Sequence, residues 1–182
     1  MMRTVDSDVV ILAVYACDKI EGIEQLWIDF GVGKHRRYIS AHQITRNLPK
    51  HIVPCLPFFH AFTGCDTVST FCGIGKRSAW KSWLAFREVD ECFEHLSTGD
   101  LDLNDNLFNK IQRFVVIMYD RVSPCATVNE CRRVLYTKRN RAIENIPPTA
   151  HALLQHTKRA ALQAHIWTDC LQSCAAKYEP TD

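Results

Sequence analysis

Two aspartates one residue apart, Asp6 and Asp8, stand immediately before the apolar run Val9-Val10-Ile11-Leu12-Ala13-Val14-Tyr15. In an extended backbone, residues i and i+2 point to the same side, so both carboxylates could meet one cation. Mg²⁺ or Mn²⁺ suits such hard oxygen ligands and keeps several waters, so two or three carboxylates suffice. The same Asp-Ser-Asp also suits a solvated loop or a helix cap. A third acid, Asp66, follows Thr63-Gly64-Cys65 and precedes Gly73-Ile74-Gly75-Lys76-Arg77 by a few residues. Gly-x-Gly opening a helix leaves backbone N–H groups at a positive dipole end, which can cradle a phosphate. Lys76 and Arg77 could touch the same phosphate. A tight turn with positive φ asks for glycine on steric grounds alone, so the motif reads either way.

Other chemistry-bearing residues point less sharply. His151, His156 and His165 share one expected helix without the i, i+4 spacing of an HExxH metal site, which makes them solvated or partly buried side chains. Arg132, Arg133, Lys138, Arg139 and Arg141 could track a phosphate backbone or form the solvated face of a helix. Lys34, Arg36 and Arg37 fall at an expected hairpin tip, where exposure is ordinary. Cys65 has no base placed to activate it, and the carboxylate beside it disfavours a thiolate. The nine cysteines are irregularly spaced, several within apolar segments, which favours reduced thiols over a disulfide framework. Cys170 and Cys174 are one helical turn apart but lack a second ligand pair for zinc.

The elements that must position these groups divide the chain in two. Val9–Tyr15, continuous and rich in β-branched residues, reads as a strand buried on both faces. Leu26–Phe30 and Arg36–Ile39 read as a hairpin around Gly31-Val32-Gly33-Lys34. Ser40 with Gln43 forms a capping box for a short helix through about Leu48, ended by Pro49. Phe58–Phe62 reads as a compact apolar helix stopped by Gly64, and a further helix runs from about Lys76 to Leu84. Leu107, Ile111, Phe114, Val115 and Met118 fall on one face of an amphipathic helix. Thr127 and Glu130 form another capping box, and Pro147-Pro148 precede a long last helix. There Leu153, Thr157, Ala160, Ala164, Trp167 and Leu171 form a stripe that must bury, and the tail after Tyr178 is expected to fray. The turn-rich, acidic Ser97–Asn106 stretch is the best boundary between an α/β segment, residues 1–96, and a helical one, residues 97–182.

Composition bounds the class. The chain has 182 residues, 47% apolar and 23% charged, which suits a folded domain and excludes disorder throughout. A net charge of +2 is too small to imply nucleic-acid binding by itself. No apolar run approaches the roughly 18 residues of a membrane span. Nor does the N-terminus carry the apolar region of a signal peptide. A nuclear or cytoplasmic protein is expected.

The succession of these motifs is more specific than any one of them. Asp-x-Asp, a hairpin and short helix, an apolar helix ending Gly64-Cys65-Asp66, then Gly73-Ile74-Gly75-Lys76-Arg77-Ser78-Ala79 opening another helix: over residues 4 to 84 this order resembles the flap-endonuclease branch of the PIN-like nucleases. The resemblance implies a partial PIN-like, Rossmann-like sheet followed by a helix–two-turn–helix element. It implies Asp6, Asp8 and Asp66 as ligands of Mg²⁺ or Mn²⁺, and Gly73, Gly75, Lys76 and Arg77 against a nucleic-acid backbone, DNA in the first instance. The family places its acids at the carboxyl end of a strand with a helical turn just after, which conflicts with a strand at Val9–Tyr15. Thr67 stands where an aromatic commonly follows the last aspartate, and Lys76 where proline often follows Gly-Ile-Gly. The family's other acidic cluster lies upstream of the Asp-x-Asp, and five residues precede Asp6 here. Half of a two-metal site is therefore expected, and a non-catalytic nucleic-acid-binding protein is the alternative. Ile146-Pro147-Pro148-Thr149-Ala150-His151-Ala152-Leu153 resembles uncharacterised animal proteins carrying this segment, some of apparent mobile-element origin, which adds the possibility of a transposon-derived remnant.

Overall fold

Asp6 ends one element and begins the next. In a computed structural model describing residues 1–100, 102–137 and 142–176, with the backbone alone for 171–176, a strand β1 (Met2–Thr4) runs into Asp6. Helix α1 (Ser7–Lys19) follows, with Asp6 as its N-cap and its carboxylate accepting the Asp8 N–H at 2.8 Å. Val9–Tyr15 is thus the body of a helix, not a strand. A short apolar run has no periodicity to separate a buried strand from a buried helix, and here the capping aspartate and the 13-residue length belong to the helix.

α1 carries the chain across to strand β2 (Trp27–Phe30), which pairs in parallel with β1, Arg3 opposite Asp29. β2 turns back antiparallel into β3 (Arg37–Ser40), so the sheet order is β1-β2-β3. Gly31, at φ +90, makes that turn possible, because a Cβ there would sit 2.8 Å from the His35 carbonyl oxygen. Arg36 is not a free basic tip. It holds the buried Asp29 carboxylate through Nε and Nη2, both at 2.7 Å, and keeps that carboxyl below the usual carboxylate range. Ser40 caps α2 (Ala41–Asn47) by accepting the Gln43 N–H.

The rest is helical: α3 (Leu56–Phe62), α4 (Lys76–Ala85), α5 (Asp90–Ser97), α6 (Asp105–Tyr119), α7 (Val128–Thr137) and α8 (Ala150–Ala176). The chain is a mixed α/β structure, mostly helical, around one three-stranded sheet. α3 is its axis, with all seven residues buried. Phe58 and Phe62 stack on each other, Phe59 stacks on Trp83 of α4, and Phe93 of α5 meets Phe114 of α6 edge-on at 5.2 Å. Aromatic pairs of this kind add about 0.5–1.5 kcal/mol each beyond the area they bury. The expected stripe of α6 is buried along its length, and Leu153, Thr157, Ala160 and Ala164 of α8 are buried against the same core. One apolar core therefore runs through both segments of the chain. Leu171's side chain and the tail after Tyr178 lie outside the described residues. No helix among the described residues is long and apolar enough to cross a membrane.

Candidate functional site

A short helix buried on every side must satisfy its orphan carbonyls from other elements. The C-terminus of α3 does so with two side chains from distant elements. His156 of α8 donates from Nε2 to the Phe62 carbonyl at 2.8 Å, and its Nδ1 lies 3.3 Å from the Ser69 hydroxyl. The Lys76 ammonium donates to the carbonyl oxygens of His60 at 2.7 Å and Gly64 at 2.5 Å, and to the Thr63 hydroxyl at 3.1 Å. A cation at the negative end of a helix is the favourable sense of its dipole. Burial outweighs that attraction in the lysine's acidity and brings its pKa down to about 8.

The same helix reaches α1. His60, 3% exposed, sits 2.7 Å from Asp8 Oδ1 through Nε2, across 52 residues of chain. Burial lowers the histidine's pKa, the Lys76 charge lowers it further, and the bond to Asp8 opposes both. A neutral imidazole in that position donates Nε2–H to the carboxylate. The Trp167 ring of α8 lies behind it, centroids 6.0 Å apart. Asp8, Lys76 and the end of α3 are thus one connected hydrogen-bonded assembly.

The expected site residues divide accordingly. Asp6 and Asp8 stand at the carboxyl end of β1, but Asp8 is already in the first helical turn, so the same-side argument for an extended backbone does not apply to them. Each has one oxygen engaged, Asp6 Oδ1 by the Asp8 N–H and Asp8 Oδ1 by His60; among the described residues neither Oδ2 has a partner. Asp66 is exposed in the turn closed by reciprocal Cys65 and Val68 main-chain bonds, and its carboxylate has no partner among the described residues. Thr67 ties that turn to Gln163 of α8 at 2.6 Å. No three His, Cys, Asp or Glu side chains come together among the described residues in an arrangement able to hold a metal ion, so Asp66 does not close a centre with Asp6 and Asp8. What is present is a pair of hard carboxylates with one oxygen each to spare.

Gly73 and Gly75 differ in kind. Gly73 needs its conformation, φ +72, in the turn closed by the Ile74 N–H on the Phe71 carbonyl. Gly75 is the N-cap of α4 with an ordinary φ of −83 and no side-chain cap. Lys76 has three N–H donors and three acceptors within the protein, which leaves none for a phosphate in this arrangement. Arg77 is exposed. Elsewhere, Arg132 is a structural clamp donating to the Pro147 carbonyl, and Arg133 is exposed. Lys138, Arg139 and Arg141, and the Cys174 side chain, lie outside the described residues. His151 and His165 are exposed, but His156 is a core residue, contrary to the solvated or partly buried role expected for it. Sequence reasoning missed His60, although an imidazole inside an otherwise apolar helix signals a buried partner. Compared with protein-family models, curated proteins and solved structures, the chain matches none of them.

Proposed function

We propose that this chain is the metal-ligating and backbone-gripping part of a phosphodiester hydrolase of the flap-endonuclease/PIN-like class. The observation that carries the reading is the bond from Asp8 to His60, continued through the His60 carbonyl to Lys76. It brings the Asp-x-Asp, the helix leading to Gly64-Cys65-Asp66 and the Gly73-Ile74-Gly75-Lys76 turn into one assembly. Acids at the end of β1 followed at once by a helix agree with the order that the resemblance implies. Asp6 and Asp8 are the carboxylates that would hold Mg²⁺ or Mn²⁺. When bound, such an ion acidifies water and offsets charge on a phosphate. Asp66, the third ligand that the resemblance implies, stands in the exposed turn after α3 and does not join them in this arrangement. The backbone N–H groups at the start of α4, with Arg77 beside them, are the groups that would meet a nucleic-acid phosphate, while Lys76 holds the helix behind them in place.

The testing experiment follows a fluorescent 5′-flap DNA duplex in Mn²⁺ and in EDTA with a full-length version that carries both acidic clusters. Expected are Mn²⁺-dependent cleavage and its loss in Asp8→Ala and Asp66→Asn, with duplex affinity retained. Because Asp66 is exposed and unpaired among the described residues, Asp66→Asn leaves the fold intact, and a lost activity reads as chemistry. Cleavage that survives Asp8→Ala overturns the assignment. That no three-ligand group closes among the described residues favours a second reading, a non-catalytic nucleic-acid-binding module. Duplex binding with no metal binding and no cleavage would select it.

A further inference from the structure

We propose that the cavity of about 370 Å³ between α1, the Val53–Cys55 turn, α5 and α8 is a binding site for a small aliphatic ammonium compound. It lies toward the far end of α1 from Asp8 and does not depend on the metal-ligating reading. Its volume falls in the range of small-molecule sites, on the order of 300–1,000 Å³. Two buried hydroxyls among the residues lining it call for a ligand. Tyr15 is 7% exposed and Ser97 6% exposed, and neither hydroxyl has a hydrogen-bond partner among the described residues. Buried polar groups in folded proteins are nearly always paired, and leaving one unpaired is costly, so two in one cavity ask for an occupant. Burial raises the Tyr15 pKa, with Lys19 opposing it, and the neutral phenol can both donate and accept. The charges at the mouth choose the sign of the ligand. Glu94 of α5 and Asp169 of α8 are exposed there, and neither carboxylate has an ion pair or hydrogen bond among the described residues. Lys19, which lines the same space, is already paired with Asp18 at 3.0 Å. Two unpaired acids beside a neutralised lysine favour a cation over an anion. His165 closes one side, its ring set against Gly99, where a Cβ would fall 2.4 Å from its Cγ. An ammonium brings three donors, enough for the two hydroxyl oxygens and one carboxylate at the mouth.

The test is isothermal titration calorimetry of the whole chain with putrescine, with its diol analogue and with succinate, which share one carbon-chain length and differ in charge. Expected are saturable binding of putrescine, diol binding at least about tenfold weaker, and no binding of succinate. Tyr15→Phe and Ser97→Ala each remove one hydroxyl and little else. Each should weaken putrescine about tenfold, the usual effect of losing a hydrogen bond to a charged group. Their denaturation midpoints should hold or rise, because neither hydroxyl bonds to the protein. Glu94→Gln and Asp169→Asn, at exposed positions, should each weaken putrescine about threefold. No binding of putrescine, a diol that binds as well, or tighter binding of succinate overturns the ammonium site. Putrescine binding untouched by all four substitutions belongs to another part of the surface and overturns it too. A lowered midpoint in both Tyr15→Phe and Ser97→Ala gives those hydroxyls a structural role and removes the need for an occupant. Should either variant fail to fold, Glu94→Gln and Asp169→Asn decide, and unchanged affinity in both overturns the site.

Discussion

The Lys76 ammonium lies 2.5 Å from the Gly64 carbonyl oxygen and 2.7 Å from that of His60, joining the first residue of α4 to the last turn of α3. A half-buried charge finishes a helix here. Lys76→Met keeps most of the stem and removes the three donors, leaving the Gly64 carbonyl without its Lys76 bond and the His60 carbonyl with only the Thr63 hydroxyl at 3.3 Å, where water has little access. Hydrogen bonds to charged groups contribute about 1.5–3 kcal/mol, and the relief of burying the charge offsets part of their loss. Urea denaturation of Lys76→Met is expected to show a destabilisation of about 2 kcal/mol. An unchanged midpoint would mean that these acceptors find water, and that Lys76 is not a clamp.

Gly64 carries a second constraint at the same corner. Its φ is +105, and a Cβ there would lie 2.2 Å from Thr70 Cγ2 and 3.1 Å from the Thr70 backbone. Gly64→Ala therefore meets both a left-handed backbone and a clash that a rotamer change cannot fully relieve. Strained backbone alone costs on the order of 1–3 kcal/mol. Thermal unfolding is expected to fall by several degrees at least, for a domain this size, and Thr70→Ala introduced alongside should recover only part of the loss. Full recovery would place the whole penalty in the Thr70 side chain.

His156 makes stability depend on pH with a definite sign. Burial is the main cause of its lowered pKa; Arg159 adds to it, and the bond to the Phe62 carbonyl opposes it. As pH falls below about 6.5, the unfolded chain takes up a proton at this residue before the folded one does. Stability therefore rises with pH across that window and is fully present above it. Denaturation midpoints measured between pH 5 and pH 7.5 should show this climb. His156→Gln should lower the slope, leaving the part that the buried His60 contributes, at some cost to stability at pH 7.5. A wild-type curve flat over that range, or an equal slope in the variant, would contradict the buried neutral histidine.

Much of the architecture was legible because its determinants are local. Ser40 with Gln43 and Thr127 with Glu130 are bonded as capping pairs, and the α6 stripe is buried where its spacing put it. Val9–Tyr15 was misread although the deciding residue was adjacent. Asp6 directly before an apolar run is a helix start signal, and it outweighs β-branching over so short a segment. The candidate site was legible as an order of motifs and not as contacts. Nothing within ten residues of His60 names Asp8 as its partner, and Lys76 looks like a free cation until α3 is found to need one. Packing α3 between α1, α4 and α8 decides both, and that is a property of the assembled core.

Gly75 offers the cleanest separation of fold from function. Nothing lies within 4 Å of where its Cβ would be, and its backbone is ordinary, so the structure itself does not ask for glycine. Gly73, at φ +72 with the Asn145 side chain 3.3 Å from its Cβ position, does not allow the same experiment. Aspartate is among the best N-cap residues, and its charge suits the positive end of α4. Gly75→Asp is therefore expected to leave stability unchanged or raise it by a few tenths of a kcal/mol. If a phosphate backbone meets this helix end, the new carboxylate repels it. An unfavourable contact of roughly 1.4 kcal/mol is tenfold in affinity. Fluorescence anisotropy with a duplex at fixed low salt should then show binding weakened about tenfold while the denaturation midpoint holds or rises. Unchanged affinity in a variant of equal or greater stability would remove the start of α4 from the interface and leave Gly75 as a helix cap alone.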